Sequence, residues 1–283
     1  LAEEALEKGA KYAVIDDSKF KKDKRFILVN DCLETLQKLA NYHRKQFSIP
    51  VIGITGSNGK TTTKELIRDV LSKKYKIHAT GGNYNNHIGV PLTVLAMDST
   101  IEIAIIEMGA NKLGDIAELC AIAEPTHGMI TNIGKAHVGN FGGFDNIIRT
   151  KSELYQHLIE HKGQVWINTN QTILKNMSKR FDAPLFYPNH GDFYHANFLE
   201  ASPYVKFIAD NGEEVQSQLI GSYNFDNMAA ALCIGKFFEV DPKSANEAIE
   251  EYISSNNRSQ IINKKTNTII MDAEDLSGNY ELA

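Results

Sequence analysis

Residues 49 to 64 read Ile-Pro-Val-Ile-Gly-Ile-Thr-Gly-Ser-Asn-Gly-Lys-Thr-Thr-Thr-Lys, a stretch able to hold a phosphate chain. The apolar run Val51 to Ile54 reads as a buried strand, and Gly56 and Gly59 bracket a turn through Ser57 and Asn58. Lys60, Thr61 and Thr62 then open a helix. Strand, glycine loop and helix N-terminus form a phosphate cradle, because backbone N–H groups and the helix dipole both favour an anion. Lys60 adds a full charge, and the hydroxyl of Thr61 stands where such loops hold Mg²⁺. A strict Walker loop reads Gly-x-x-x-x-Gly-Lys-Ser/Thr. Here five residues separate Gly53 from Gly59, and two separate Gly56 from Gly59. The same residues could build a plain strand-turn-helix with a solvated lysine. Gly-Lys-Thr-Thr directly after a buried strand favours the nucleotide.

Other polar groups fall at comparable places. Ile103 to Ile106 leads into Glu107-Met-Gly-Ala-Asn111, and a carboxylate at a strand end beside a phosphate loop can hold Mg²⁺. The alternative is a capping or solvated glutamate. Thr131 to His137 follows the next apolar run, and His137 could ligate a second metal, touch phosphate or simply be a satisfied polar group. Lys151 lies in a helix, and the residues alone do not separate it from a solvated lysine. Gly82-Asn-Tyr-Asn-Asn-His-Ile-Gly-Val-Pro91 reads as a glycine-flanked loop carrying Asn85 and Asn86, functional or mere turn chemistry. Asn224 and Asn227 share a helix face and could bond a base or cap the helix. Arg258 could pair with phosphate and Asp272 with a ribose hydroxyl. His157 and His161 are spaced i, i+4 without the glutamate of a zinc motif, so they read as a wet helix face.

Strands are expected at 51–55, 77–80, 102–107, 127–131 and 164–168, with helices at 60–74, 113–123 and 145–161. Apolar strands alternating with such helices argue an α/β fold with a mostly parallel sheet flanked by helices. Ligands bind at the carboxyl ends of such strands, where the polar clusters above fall. Ahead of this unit, helix ends at residues 1–8, strand at 11–16 and helix at 31–47 with Asp31 as N-cap suggest a partial N-terminal α/β domain. Ser48-Ile-Pro50 marks the boundary. From Leu185 to Leu219 short alternating runs around Asp210-Asn-Gly212 predict an antiparallel hairpin insertion or edge. Helices at 222–238 and 242–253 and strands at 258–264 and 268–272 follow, and 273–283 makes no element.

The 283 residues can hold one large or two ordinary domains. A net charge of −5 with no basic block argues against nucleic acid as the main partner. Cys32, Cys120 and Cys233 form no CxxC and read as reduced core residues of a cytoplasmic protein. No apolar run reaches the roughly 18 residues a membrane helix needs. The first residues, Leu-Ala-Glu-Glu-Ala, carry neither an initiator Met nor a signal pattern, so a trimmed chain is expected.

Thr55-Gly-Ser-Asn-Gly-Lys-Thr-Thr-Thr63 resembles the ATP loop of the Mur ligases, unusual glycine spacing included. Asn83-Tyr-Asn-Asn-His-Ile-Gly-Val-Pro91, Glu107-Met-Gly-Ala-Asn111 and Ala136-His137 are similar to the branch that adds D-alanyl-D-alanine to UDP-N-acetylmuramoyl-tripeptide. The resemblance runs to about Asp272. It implies an ATP-dependent ligase with two Mg²⁺ ions, acting in peptidoglycan precursor synthesis as a monomer. It implies that Lys60 binds the β- and γ-phosphates, that Thr61 and Glu107 hold one Mg²⁺, and that His137 serves the second. Lys151 matches a lysine that carries a carbamate in relatives and then ligates the second ion. Asn227, with Asn224 nearby, would contact adenine, Arg258 the phosphates and Asp272 the ribose, with Asn85 and Asn86 at the junction of substrate and phosphate. The implied domains are 1–48, a partial UDP-substrate domain; 49–272, the ATP domain; and 273–283, a remnant of a C-terminal domain. Tyr223 stands where relatives carry histidine, and Ala273-Glu-Asp-Leu-Ser replaces the Ala-Tyr-Asn-Ala-Asn-Pro expected after Asp272. A related amide ligase of the folylpolyglutamate or third-residue type, a phosphotransferase and an inert nucleotide-binding fragment are the rival readings.

Overall fold

The structure is a computed structural model that describes residues 1–134 and 141–254, and the backbone of strands 260–264 and 267–271. The chain opens with α1 (Ala2–Glu7), a parallel pair β1 (Ala13–Ile15) and β2 (Phe26–Leu28), and α2 (Cys32–Arg44). Next come β3 (Val51–Thr55), α3 (Lys60–Ser72), β4 (Ile77–Ala79), α4 (Gly89–Leu95), β5 (Ile103–Glu107) and α5 (Asp115–Ala123). They are followed by β6 (His127–Ile130), α6 (Phe144–Glu160), β7 (Gln164–Asn168), α7 (Thr172–Met177) and β8 (Leu185–Tyr187). The last group is β9 (Asn197–Ala201), β10 (Tyr204–Ile208), β11 (Glu214–Ile220), α8 (Asn224–Phe237), α9 (Pro242–Glu251), β12 (Gln260–Lys264) and β13 (Asn267–Met271).

Six strands form one parallel sheet in the order β4-β5-β3-β6-β7-β8. The interior strands β3 and β5 are buried along their whole length. Burial on both faces is why they read as continuous apolar runs and not as alternating ones. Ile52 and Ile54 enter one core, with Leu66 and Val70 of α3, Phe207 of β10 and Met228 of α8. Val51 and Ile106 enter the other, with Ala40 of α2, Val90 of α4, Leu119 of α5 and Leu154 of α6. Strands β9 to β11 form a separate antiparallel sheet that packs on the first core.

Asp31 caps α2 by accepting from the N–H of Glu34 at 2.7 Å. At the other end the buried Arg44 donates to the carbonyls of Phe47 (2.7 Å), Ala123 (2.9 Å) and Glu124 (3.2 Å). Its cation thereby meets the negative end of α5 and ties α2 to the sheet layer.

The sheet matches the expected parallel α/β unit. Residues 185–187 depart from the antiparallel reading: β8 pairs with β7 in parallel and completes the large sheet. Three residues are too few for periodicity to tell a parallel edge from a hairpin arm. The segment read as a loop from Gly82 to Pro91 ends inside α4, a helix begun by Gly-Val-Pro. Proline is tolerated in a first turn, yet it reads in sequence as a breaker. Strand β2 and helix α7 were also not expected from the residues alone.

Ile54→Ala should lower stability by about 2–5 kcal/mol, because its side chain is fully enclosed beneath α3 and α8. Val14→Ala, at an exposed position of β1, should change it by less than about 0.5 kcal/mol. Urea denaturation of both variants checks this, and equal losses would contradict the assignment of the core.

Candidate active site

Strand β3 delivers Thr55 to Gly59 to its carboxyl end, and α3 starts at once with Lys60. Gly59 has φ +76°, and a Cβ there would lie 2.6 Å from Asn227 Oδ1. A Cβ on Gly56 would lie 1.9 Å from Thr131 Oγ1. Side chains at either position would collide with α8 or with the residues after β6, so the loop needs both glycines. The chain after β6 latches the loop. Asn132 accepts from Ser57 N–H at its backbone oxygen (3.0 Å) and from Asn58 N–H at Oδ1 (3.0 Å). Thr131 Oγ1 (2.6 Å) and Asn132 Nδ2 (3.0 Å) donate back to the Asn58 carbonyl. Ser57 and Asn58 therefore spend their amide hydrogens on holding the loop's shape. The first turn of α3 is what the loop leaves open to an anion, since a helix start offers N–H groups without partners inside the helix. Thr62 is buried in that turn.

Two lysine side chains converge on the loop. Lys60 Nζ donates to the carbonyls of Gly56 and Ser57, both at 2.9 Å. Lys151, on α6 and only 5% exposed, donates to the same Gly56 carbonyl at 2.8 Å. Burial, and then the nearby charge of Lys60, push its pKa down to about 7. Near neutral pH much of Lys151 is thus an uncharged amine.

Glu107 ends β5 with its side chain 1% exposed. Its Oε1 accepts from the Thr61 hydroxyl (3.2 Å) and from Asn85 Nδ2 (2.8 Å). Its Oε2 is buried without a hydrogen bond, and Lys64 Nζ lies 3.5 Å away. A threonine hydroxyl beside an under-satisfied carboxylate is the donor set that Mg²⁺ takes from protein when phosphate oxygens and water fill the rest of its shell. Among the described residues no three His, Cys, Asp or Glu gather to hold a metal, so a cation here would depend on such outside oxygens.

Gly56, Ser57, Lys60, Asn85, Asn86 and Lys151 line one cleft of about 230 Å³, together with Asp115 and Glu118 of α5. Asn86 Oδ1 also accepts from the N–H groups of Ile88 (3.0 Å) and Gly89 (2.9 Å), which starts α4. Asn224 and Asn227 stand behind the loop. Asn227 accepts from the Thr63 hydroxyl (3.0 Å) and donates to Asn224 Oδ1 (2.9 Å), while Asn224 Nδ2 donates to the Ile220 carbonyl (2.8 Å). His137, Arg258 and Asp272 lie outside the described residues. His157 and His161 stack on each other and line a different recess, beside His127 at the amino end of β6. Sequence reasoning gave no part to Lys64, Thr80, Thr131 or Asn132. The one available signal was position: Lys64 sits one turn beyond Lys60, and Thr131-Asn132 directly follows a buried strand.

Residues 54–235 match the family described as Mur ligase middle domain. The UDP-N-acetylmuramoyl-tripeptide--D-alanyl-D-alanine ligase of Bacillus subtilis is 35% identical over 253 residues, 89% of this chain and 55% of that protein. The ligase of the same name from Synechocystis is 38% identical over 216 residues, 76% of this chain and 46% of that protein. Among solved structures, the MurF ligase of Thermotoga maritima in complex with ADP is 29% identical with a TM-score of 0.82, over 95% of this chain and 63% of that one. MurF of Acinetobacter baumannii is 28% identical with a TM-score of 0.83, over 95% and 60%. The chain spans about half the length of the curated relatives it matches.

The lowered pKa of Lys151 has a signed effect on stability. Between about 7 and the ordinary value of 10.5 the unfolded chain binds a proton that the folded chain does not. This group's contribution therefore makes stability rise with pH across that window. Urea denaturation at pH 7, 8 and 9 should show the parent gaining on Lys151→Met at each step. A difference that stays flat with pH would show an ordinary lysine.

Proposed function

The chain belongs to the Mur ligase family, and from that premise we propose that it is the ATP-binding part of the ligase that joins D-alanyl-D-alanine to UDP-N-acetylmuramoyl-tripeptide. The observation that carries the reading is the meeting of Lys60, Lys151 and Asn85 in one cleft, with Thr61 and Glu107 directly behind Asn85. The motifs around Asn85 and Glu107, and the names of the curated relatives, support this branch of the family over its siblings.

In this reading the γ-phosphate of ATP passes to the terminal carboxylate of the tripeptide, giving an acyl phosphate and ADP. The amine of D-alanyl-D-alanine attacks the acyl carbon, a tetrahedral intermediate forms, and it collapses to an amide and inorganic phosphate. Both reactants of the first step are anions, so charge must be neutralised where they meet. Lys60 leaves the carbonyls of Gly56 and Ser57 for the β- and γ-phosphates. Thr61 and Glu107 would hold Mg²⁺, and that ion would supply charge neutralisation at the transferring phosphoryl group. Uncharged Lys151 can add to CO₂ through Nζ with loss of a proton, and the resulting carbamate would serve a second Mg²⁺ with His137. Asn85 orients Glu107, and Asn86 fixes the loop where the tripeptide approaches. Asn224 and Asn227 act on the adenine side by holding the loop at Gly59, with Arg258 toward the phosphates and Asp272 toward the ribose. Residues 1–48 would belong to a partial UDP-substrate domain and 49–272 to the ATP domain.

The enzyme is assigned to the cytoplasm as a monomer, with no nucleic-acid or membrane partner. Free thiols at Cys32, Cys120 and Cys233 support a reducing compartment. No helix among the described residues is long and apolar enough to cross a membrane.

With both substrates and Mg·ATP, the whole protein should release one phosphate per amide formed, and none without the tripeptide substrate. A stable phosphoester with no amide would make it a phosphotransferase instead. Lys60→Ala should lower turnover by about 10²–10³-fold or more. Full turnover in that variant would reject the role given to this lysine.

A further inference from the structure

Lys64 takes no part in the chemistry above, yet its side chain is only 2% exposed. Lysine is seldom buried without a partner that repays its desolvation. Its Nζ donates to the Gly82 carbonyl at 3.1 Å and lies 3.5 Å from Glu107 Oε2. The two oxygens of Glu107 are served differently. Thr61 and Asn85 hold Oε1 by hydrogen bonds, while Oε2 has the charge of Lys64 nearby and no hydrogen bond. Lysine suits that place, being a compact point charge on a flexible stem. Its contact with Gly82 also anchors the start of the loop that carries Asn85.

We propose that Lys64 is a positioning residue for the divalent-cation site. It supplies the counter-charge of the Glu107 carboxylate when no cation is bound, keeps that carboxylate aimed at Thr61, and locks the Gly82–Asn86 loop to it. The proposal rests on the reading of Glu107 as a Mg²⁺ ligand. A carboxylate this deeply buried is costly without a neighbouring cation. Lys64 and Mg²⁺ are therefore alternative partners of one charge. Removing Lys64 must make the folded chain lean harder on Mg²⁺. A lysine that merely propped the Gly82 loop would show no such link, because its loss would weaken the chain equally with and without the ion.

Thermal unfolding with ADP present, in EDTA and in Mg²⁺, reads the link directly. In the parent Mg²⁺ should raise the midpoint, and Glu107→Gln should abolish that rise. In Lys64→Met the rise should be at least twice the parent's. A rise no larger than the parent's overturns the proposal. A parent-sized rise in Glu107→Gln overturns the underlying reading of Glu107 instead, so the two failures are distinguishable. If Lys64→Met folds only in Mg²⁺, that is the strongest form of the expected result. If it folds in neither, Lys64→Met/Glu107→Gln decides, since charge and counter-charge are then removed together. That double variant should fold without needing Mg²⁺, and its failure to fold would show that Lys64 is structural.

Discussion

A carboxylate held almost wholly out of water at the end of an apolar strand sets the terms for this molecule. Glu107 cannot be there unless hydrogen bonds and positive charge are brought to it. Its partners come from separate parts of the chain. Thr80, just after β4, accepts its backbone N–H at 3.0 Å. Thr61 comes from the helix after β3, and Asn85 from the loop before α4. These segments reach one another only if β4, β5 and β3 are neighbours in a single sheet with parallel carboxyl ends. That is the observed order. The topology and the polar site are thus one requirement met twice, by apolar burial along the strands and by polar satisfaction at their ends.

On the other side of β3 a second requirement operates. The glycine loop after β3 must approach β6 and α8 so closely that Gly56 and Gly59 leave no room for a Cβ. Thr131 and Asn132 then shape the loop through its own backbone groups. Its carbonyls turn toward Lys60 and Lys151, so two cations stand at one point. Each raises the cost of charge on the other, and Lys151, the buried one, gives way. Its lowered pKa follows first from burial and then from placement beside Lys60, and this makes it a chemically different group from the exposed lysines of the same chain.

Much of this was legible in the residues. Gly-Lys-Thr-Thr after Val51–Ile54 locates the loop, because strand, glycine turn and helix start each leave a local signal. Glu107 is visible as the first charge after four apolar residues. The parallel sheet follows from the alternation of such runs with helices. What escaped has a common cause in contact between distant segments. Nothing near Asn227 announces that it packs against Gly59, and nothing near Lys64 announces Glu107. The helix α4 was hidden because its proline and glycine, which break helices in mid-course, are harmless in a first turn. Strand β8 was hidden by its brevity.

The charges that remain around the cleft order it from end to end. Lys60 sits where the first turn of α3 begins, so its charge and the helix N-terminus add in the same direction. Asp115 and Glu118 line the same cleft from α5. A polyphosphate entering it is drawn to the Lys60 end and repelled from the α5 wall, so electrostatics orients the anion before any specific contact forms. The asparagines are the complement of this field. Asn85, Asn132, Asn224 and Asn227 each use both ends of a neutral amide, or an amide and a backbone group, to fix neighbours without adding charge. Groups of this kind stiffen the surroundings of the cleft without spending its positive charge, and these four asparagines meet that condition.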